Sequence, residues 1–307
     1  MRTIFPYIGL LLEIFSVFLI LPLIVAFFYN EPTTPFFIAL IVSLFAGIIL
    51  EKTSKRKPLN FWDALSLTAL SFIIFSVLGS IPYLFYINGP AHITFINAFF
   101  ESLSGFTTTG LSIFSTVANL PKSILFWRAL TQWMGGMGII IIFLSVLRSV
   151  RTSSMTLYRS QGLSEKIEPS LISTSRYILK IFITYTLLGI VALFATGLPL
   201  FDSITTAFTA ISTGGFTVVD TFYTNPATLA VISILMLLGS INFILHSKLF
   251  KKNFNEFLKN PEVKGIAVML IFLISAGFIV SGSLSISIFQ MISALTATGF
   301  SITDTAS

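Results

Sequence analysis

The sequence predicts an all-α integral membrane fold built from repeated units of helix, re-entrant loop and helix. Three observations carry that prediction. Hydrophobic residues make up 55% of the 307 residues and charged residues only 10%, against about 25% charged in ordinary soluble domains. Seven apolar segments approach the length of roughly 20 residues that crosses the hydrocarbon core. Three short stretches also read alike: Thr107-Thr108-Thr109-Gly110-Leu111-Ser112, Ser212-Thr213-Gly214-Gly215-Phe216-Thr217 and Thr296-Ala297-Thr298-Gly299-Phe300-Ser301. Charge-free runs such as 64–91 and 265–303 exclude a soluble fold, whose helices need a charged outer face.

The elements follow in order. The first span, near 7–28, comes soon after Arg2. It is longer than the ~7–15 apolar residues of a signal peptide and no small-residue cleavage site follows, so it is read as a retained helix. Spans two and three lie near 34–51 and 63–87. The stretch Thr94–Gly105 is too short to cross and is read as a re-entrant half-helix leading into the first glycine loop. Span four, near 124–147, contains Gln132-Trp133-Met134-Gly135-Gly136-Met137-Gly138, whose glycines permit close packing or a bend. Span five (177–199), the half-helix Asp202–Ile211, the second loop and span six (228–247) repeat the unit. Span seven (265–283), Ser285–Leu295 and the third loop begin it again. The chain therefore divides into two extra N-terminal helices (1–58), a first unit (59–150), a cytoplasmic loop and second unit (151–250), and a cytoplasmic loop and partial third unit (251–307).

Topology follows from the basic residues. Sixteen of the eighteen lysines and arginines fall at the N-terminus, after span two, between spans four and five, or between spans six and seven. Threading seven spans from a cytoplasmic N-terminus puts all four groups on the cytoplasmic side, and the three glycine loops and residue 307 on the outer side. The net charge of +6 is thus topological and implies a lipid bilayer rather than nucleic acid as the partner.

The loops suit a dehydrated cation. Backbone carbonyls can replace its water without trapping it. Glycine lets the backbone turn to present them, and a half-helix pointing its negative C-terminal end at the loop favours positive charge. The candidate ion-binding residues are Thr108, Thr109 and Gly110, then Thr213, Gly214 and Gly215, then Ala297, Thr298 and Gly299. Glu101, Asp220 and Asp304 are candidates for the outer vestibule, and local pairing is the competing role for Glu101. No cofactor is expected. With no cysteine, two histidines far apart and no nucleophile–base pair, the residues predict neither a metal site nor an enzyme.

These residues also resemble a known family. Phe100-Glu101-Ser102-Leu103-Ser104-Gly105-Phe106-Thr107-Thr108-Thr109-Gly110, the run from Gln132 to Ile139, Leu157-Tyr158-Arg159, Ile211-Ser212-Thr213-Gly214-Gly215-Phe216, Leu237 to Phe243 and Ala297-Thr298-Gly299-Phe300 match the TrkH/KtrB superfamily of potassium transporters, and within it the TrkH branch most closely. The resemblance implies helix–pore loop–helix units of potassium-channel type, four around one pathway, with one glycine per unit at a potassium-selective filter. It implies potassium uptake across the cytoplasmic membrane, a homodimer, and a TrkA-type cytoplasmic nucleotide-binding regulatory subunit. The family continues with a second helix of unit three and a fourth unit, whereas this sequence stops at Ser307. The alternative expectation is therefore a non-conducting membrane scaffold or a degenerate fragment of such a transporter.

Overall fold

The computed structural model describes residues 3–53, 56, 59, 61–85, 94–138, 171–250 and 253–303. All regular structure among them is helical. Helices α1 (Phe5–Phe18) and α2 (Ile20–Phe28) form the first span and α3 (Thr34–Glu51) the second. Bare glycines let α1 and α3 approach closely: a Cβ on Gly9 would overlap the Gly47 carbonyl, and one on Gly47 would meet the Glu13 side chain.

The first unit contains α4 (Phe61–Gly79), α5 (Ile81–Leu84), α6 (Phe95–Phe106) and α7 (Lys122–Gly136). The second contains α8 (Leu171–Ala195), α9 (Leu200–Ile211), α10 (Pro226–Ser240) and α11 (Phe243–Phe250). After the short α12 (Phe254–Lys259), α13 (Pro261–Ser281) and α14 (Leu284–Leu295) open the third. Five helical spans are long and apolar enough to cross a membrane, and a sixth if α10 and α11 count as one. The protein is thus a multi-pass membrane protein.

Two helices depart from the simple span picture. Helix α7 has only 15 described residues, yet Ser123 to Gln132 are all buried. It is a core helix: Trp127 Nε1 donates to Gly79 O on α4 at 3.0 Å, and Trp133 Nε1 to Thr186 Oγ1 on α8 at 3.1 Å. Its first turn is capped from outside, because Glu31 accepts from the Lys122 and Ser123 amides at 2.7 and 2.8 Å. A carboxylate there suits the positive end of the helix. The remainder of the expected fourth span, 139–147, lies outside the described residues.

The expected sixth span, 228–247, is not continuous. The chain bends by 110° between α10 and α11. Ile241 is extended, Asn242 Oδ1 accepts from the Ile244 amide at 3.0 Å, and the Asn242 amide donates to Glu262 at 2.8 Å. His246 donates from Nε2 to Leu238 O at 2.9 Å, a carbonyl freed by the break, and accepts at Nδ1 from Tyr185 at 3.1 Å. These side chains satisfy backbone groups that the bend would otherwise expose.

Candidate functional site

Three 12-residue helices, α6, α9 and α14, each lead into one glycine loop. They end identically. In α6 the Thr109 amide returns to Ser104 O at 2.9 Å and the Thr108 amide to Gly105 O at 3.0 Å. Gly214 and Thr213 make the same pair of bonds to Thr209 and Ala210, and Thr298 and Ala297 to Ser293 and Ala294. This is the Schellman termination, which needs a left-handed residue just past the cap. Glycine usually fills that place, but here Thr108, Thr213 and Ala297 do, at φ of 54°, 51° and 55°. The left-handed region costs a non-glycine residue about 1–2 kcal/mol, so three equivalent strained positions mark the loops as special.

Two residues further on, Gly110, Gly215 and Gly299 are left-handed again, at φ of 78°, 80° and 85°. Alternating hand turns successive N–H groups to one side of the chain and carbonyls to the other. The glycines are also needed sterically. A Cβ on Gly110 would overlap the Gly214 carbonyl oxygen, and a Cβ on Gly215 would overlap the Thr298 carbonyl oxygen. Each loop therefore abuts the next through the same pair of positions. Among the described residues no atom lies within 4 Å of where a Cβ on Gly299 would stand.

Helices α7 and α10 back the loops. A Cβ on Gly135 would overlap Phe106 O, and one on Gly239 would overlap Ile211 O. Phe106 and Ile211 each end a half-helix, so the two glycines are equivalent in the two units. A cavity of about 330 Å³, lined by Phe72, Gly135, Met137, Ile178, Gly239 and Asn242 among others, lies at the C-terminal ends of these helices. A second, of about 150 Å³, opens where the chain leaves the loops and is lined by Gly110, Ser112, Arg128, Gly215, Thr217 and Asp220 among others.

The carboxylates separate. Asp220 is exposed at the second cavity, and its Oδ1 accepts from the Val117 amide at 2.5 Å, tying together the segments that follow the first and second glycine loops. Asp304 lies outside the described residues. Glu101 lies within the protein. It is 0% exposed, accepts from Arg128 Nε at 2.7 Å and from the Ile113 amide at 2.8 Å, and is consumed in local pairing. In the segment after Gly215, Tyr223 donates to Asp202 at 3.2 Å, and burial pushes its hydroxyl above the ordinary tyrosine value.

Sequence reasoning missed Arg128 and Gln132. Arg128 is 2% exposed and donates to Glu101, to Ser112 Oγ at 3.0 Å and to Thr217 O at 2.8 Å, while its guanidinium stacks 4.2 Å from the Phe216 ring centroid. Gln132, one turn along, donates to Gly214 O at 2.6 Å and accepts from the Phe216 amide at 3.1 Å. The signal was present: a lone arginine in an apolar helix, with a polar residue four positions on. No group of three or more metal-ligating side chains occurs among the described residues.

The chain matches the family model described as "TrkH: Cation transport protein" over residues 33–273. It is similar to an uncharacterized cation transporter of Methanocaldococcus jannaschii, 36% identical over 95% of this chain and 61% of that protein. It is also similar to the Trk system potassium uptake protein TrkH of Salmonella typhimurium, 31% identical over 86% of this chain and 56% of that protein. The crystal structure of the potassium transporter TrkH from Vibrio parahaemolyticus superposes with a TM-score of 0.85 at 29% identity, covering 98% of this chain and 66% of that one. The chain thus spans about three fifths of the length of the relatives it matches.

Proposed function

The chain belongs to the TrkH family of cation transport proteins, and on that premise we propose that it carries potassium across the cytoplasmic membrane through a pathway lined by its three glycine loops. The observation that carries this reading is the repeated abutment of the loops, with Gly110 against the Gly214 carbonyl and Gly215 against the Thr298 carbonyl. Carbonyls brought together in this way can replace an ion's hydration shell. Thr108 to Gly110, Thr213 to Gly215 and Ala297 to Gly299 are the proposed ion-binding residues, and Asp220 and Asp304 the proposed acidic groups of the outer mouth. Each half-helix adds the negative end of its dipole.

The same premise extends to organisation. The unit boundaries at 59–150, 151–250 and 251–307, a cytoplasmic N-terminus and a second copy of the chain are part of the proposal. A TrkA-type cytoplasmic regulatory subunit completes it, on family membership and on the basic loops.

The test is Gly215→Ser, introduced into the protein as its host expresses it. A Cβ there must displace the Thr298 carbonyl, so rubidium uptake should lose its resistance to competing sodium by about tenfold, the effect of ~1.4 kcal/mol. Unchanged discrimination in membranes carrying normal amounts of the protein would refute a filter at these loops.

A further inference from the structure

We propose that Gln132 and Arg128 form a clamp that positions the second glycine loop from the neighbouring unit and sets its cation discrimination. This rests on the filter reading above. Both residues stand on α7, which belongs to the first unit, yet they hold the backbone of the second loop at three positions, 214, 216 and 217. Gln132 brackets Gly215 by donating to Gly214 O at 2.6 Å and accepting from the Phe216 amide at 3.1 Å. Arg128 takes Thr217 O at 2.8 Å. Gln132 is fully buried and Arg128 nearly so, so these bonds are not exchanged with bulk water. Arg128 is itself fixed by Glu101 and Ser112 of the first unit. A displacement of either loop is thereby passed to the other.

The third loop is held differently. The contacts of Gly135 on Phe106 and of Gly239 on Ile211 align α7 with α10. That alignment puts Ile232 where α7 has Arg128 and Met236 where it has Gln132. Both are buried and apolar, and α10 packs on α14 as α7 packs on α9. The third loop depends instead on its own half-helix, through Ser293 Oγ donating to Phe300 O at 2.8 Å. The residue before the key glycine follows the same division. Gly214 has no side chain because the Gln132 carboxamide fills that space, and a Cβ there would overlap it. The third loop has Thr298 at this place, and α10 has the unbranched Met236 at the position equivalent to Gln132.

Three variants test the clamp: Gln132→Met, Gly214→Thr, and the two together, which reproduce the pairing of the third loop. Rubidium uptake is measured against competing sodium, with membrane abundance as the control for folding. Gln132→Met should lower discrimination about tenfold while leaving abundance near normal. Gly214→Thr alone should lower abundance, because its side chain meets Gln132. The double variant should regain abundance but not discrimination, a separation that a purely structural role for Gln132 would not give. Native discrimination in either folded Gln132→Met background would overturn the clamp and leave the filter reading standing. A parent protein that fails to discriminate rubidium from sodium would overturn both.

Discussion

At the scale of residues, burying Arg128 is tolerable only because its donors find acceptors. Glu101, Ser112 and Thr217 take them, and the Phe114 and Phe216 rings flank the guanidinium. Removing one member of a buried ion pair costs about 3–5 kcal/mol, whereas replacing both is often far milder. Arg128→Met should therefore destabilise the detergent-solubilised protein strongly, and Arg128→Met with Glu101→Gln much less. Thermal melts of the two compare them directly, and equal losses would contradict the pairing. Gly110→Ala should damage cation discrimination as Gly215→Ser does, since its Cβ would meet Gly214 O. The three glycines were legible in the sequence because they recur in matched settings. The partners of Arg128 and Gln132 were not, because each residue reaches a loop more than 80 residues away.

At the scale of elements, the half-helices were read correctly to within a few residues, since each is a short apolar run ending in a glycine loop. The break between α10 and α11 was not expected, because Leu237 to Leu245 carries no proline or charge and only Gly239, Ser240 and Asn242 weaken the helix there. It is held by Asn242 itself and by groups distant in sequence: Glu262 on α13 and Tyr185 on α8. His246→Phe should keep the bulk and lose the bond to Leu238 O, leaving a buried carbonyl unpaired at about 1–3 kcal/mol. A lowered melting temperature, or faster hydrogen exchange confined to residues around 238–246, is the expected outcome. Helix α7 shows the converse. Length and hydropathy alone underrate it, since its polar residues face protein rather than lipid. Its N-terminal end should also be sensitive to Glu31→Ala, which removes the acceptor for two amides at about 1 kcal/mol.

At the scale of the whole molecule, the absence of cysteine makes topology directly measurable. Lys55→Cys should react with impermeant maleimide only after the cells are opened, as the cytoplasmic side proposed for the basic loops requires. Labelling of intact cells would reverse the orientation. Membrane residence and repetition could be read from composition and pattern alone. How the repeats meet could not, because the meeting is made by bare backbone. That meeting also has a direction. Gly110 leans on the second loop and Gly215 on the third, which is the head-to-tail kind of contact that closes into a ring only if every joint turns by the right amount. A wound at one joint should therefore spread unequally, with bulk at Gly215 felt first as a shifted Thr298 carbonyl and only indirectly at Gly110. Isotope-edited infrared bands of those carbonyls would show the three loops as a row of dominoes with a single sense of fall.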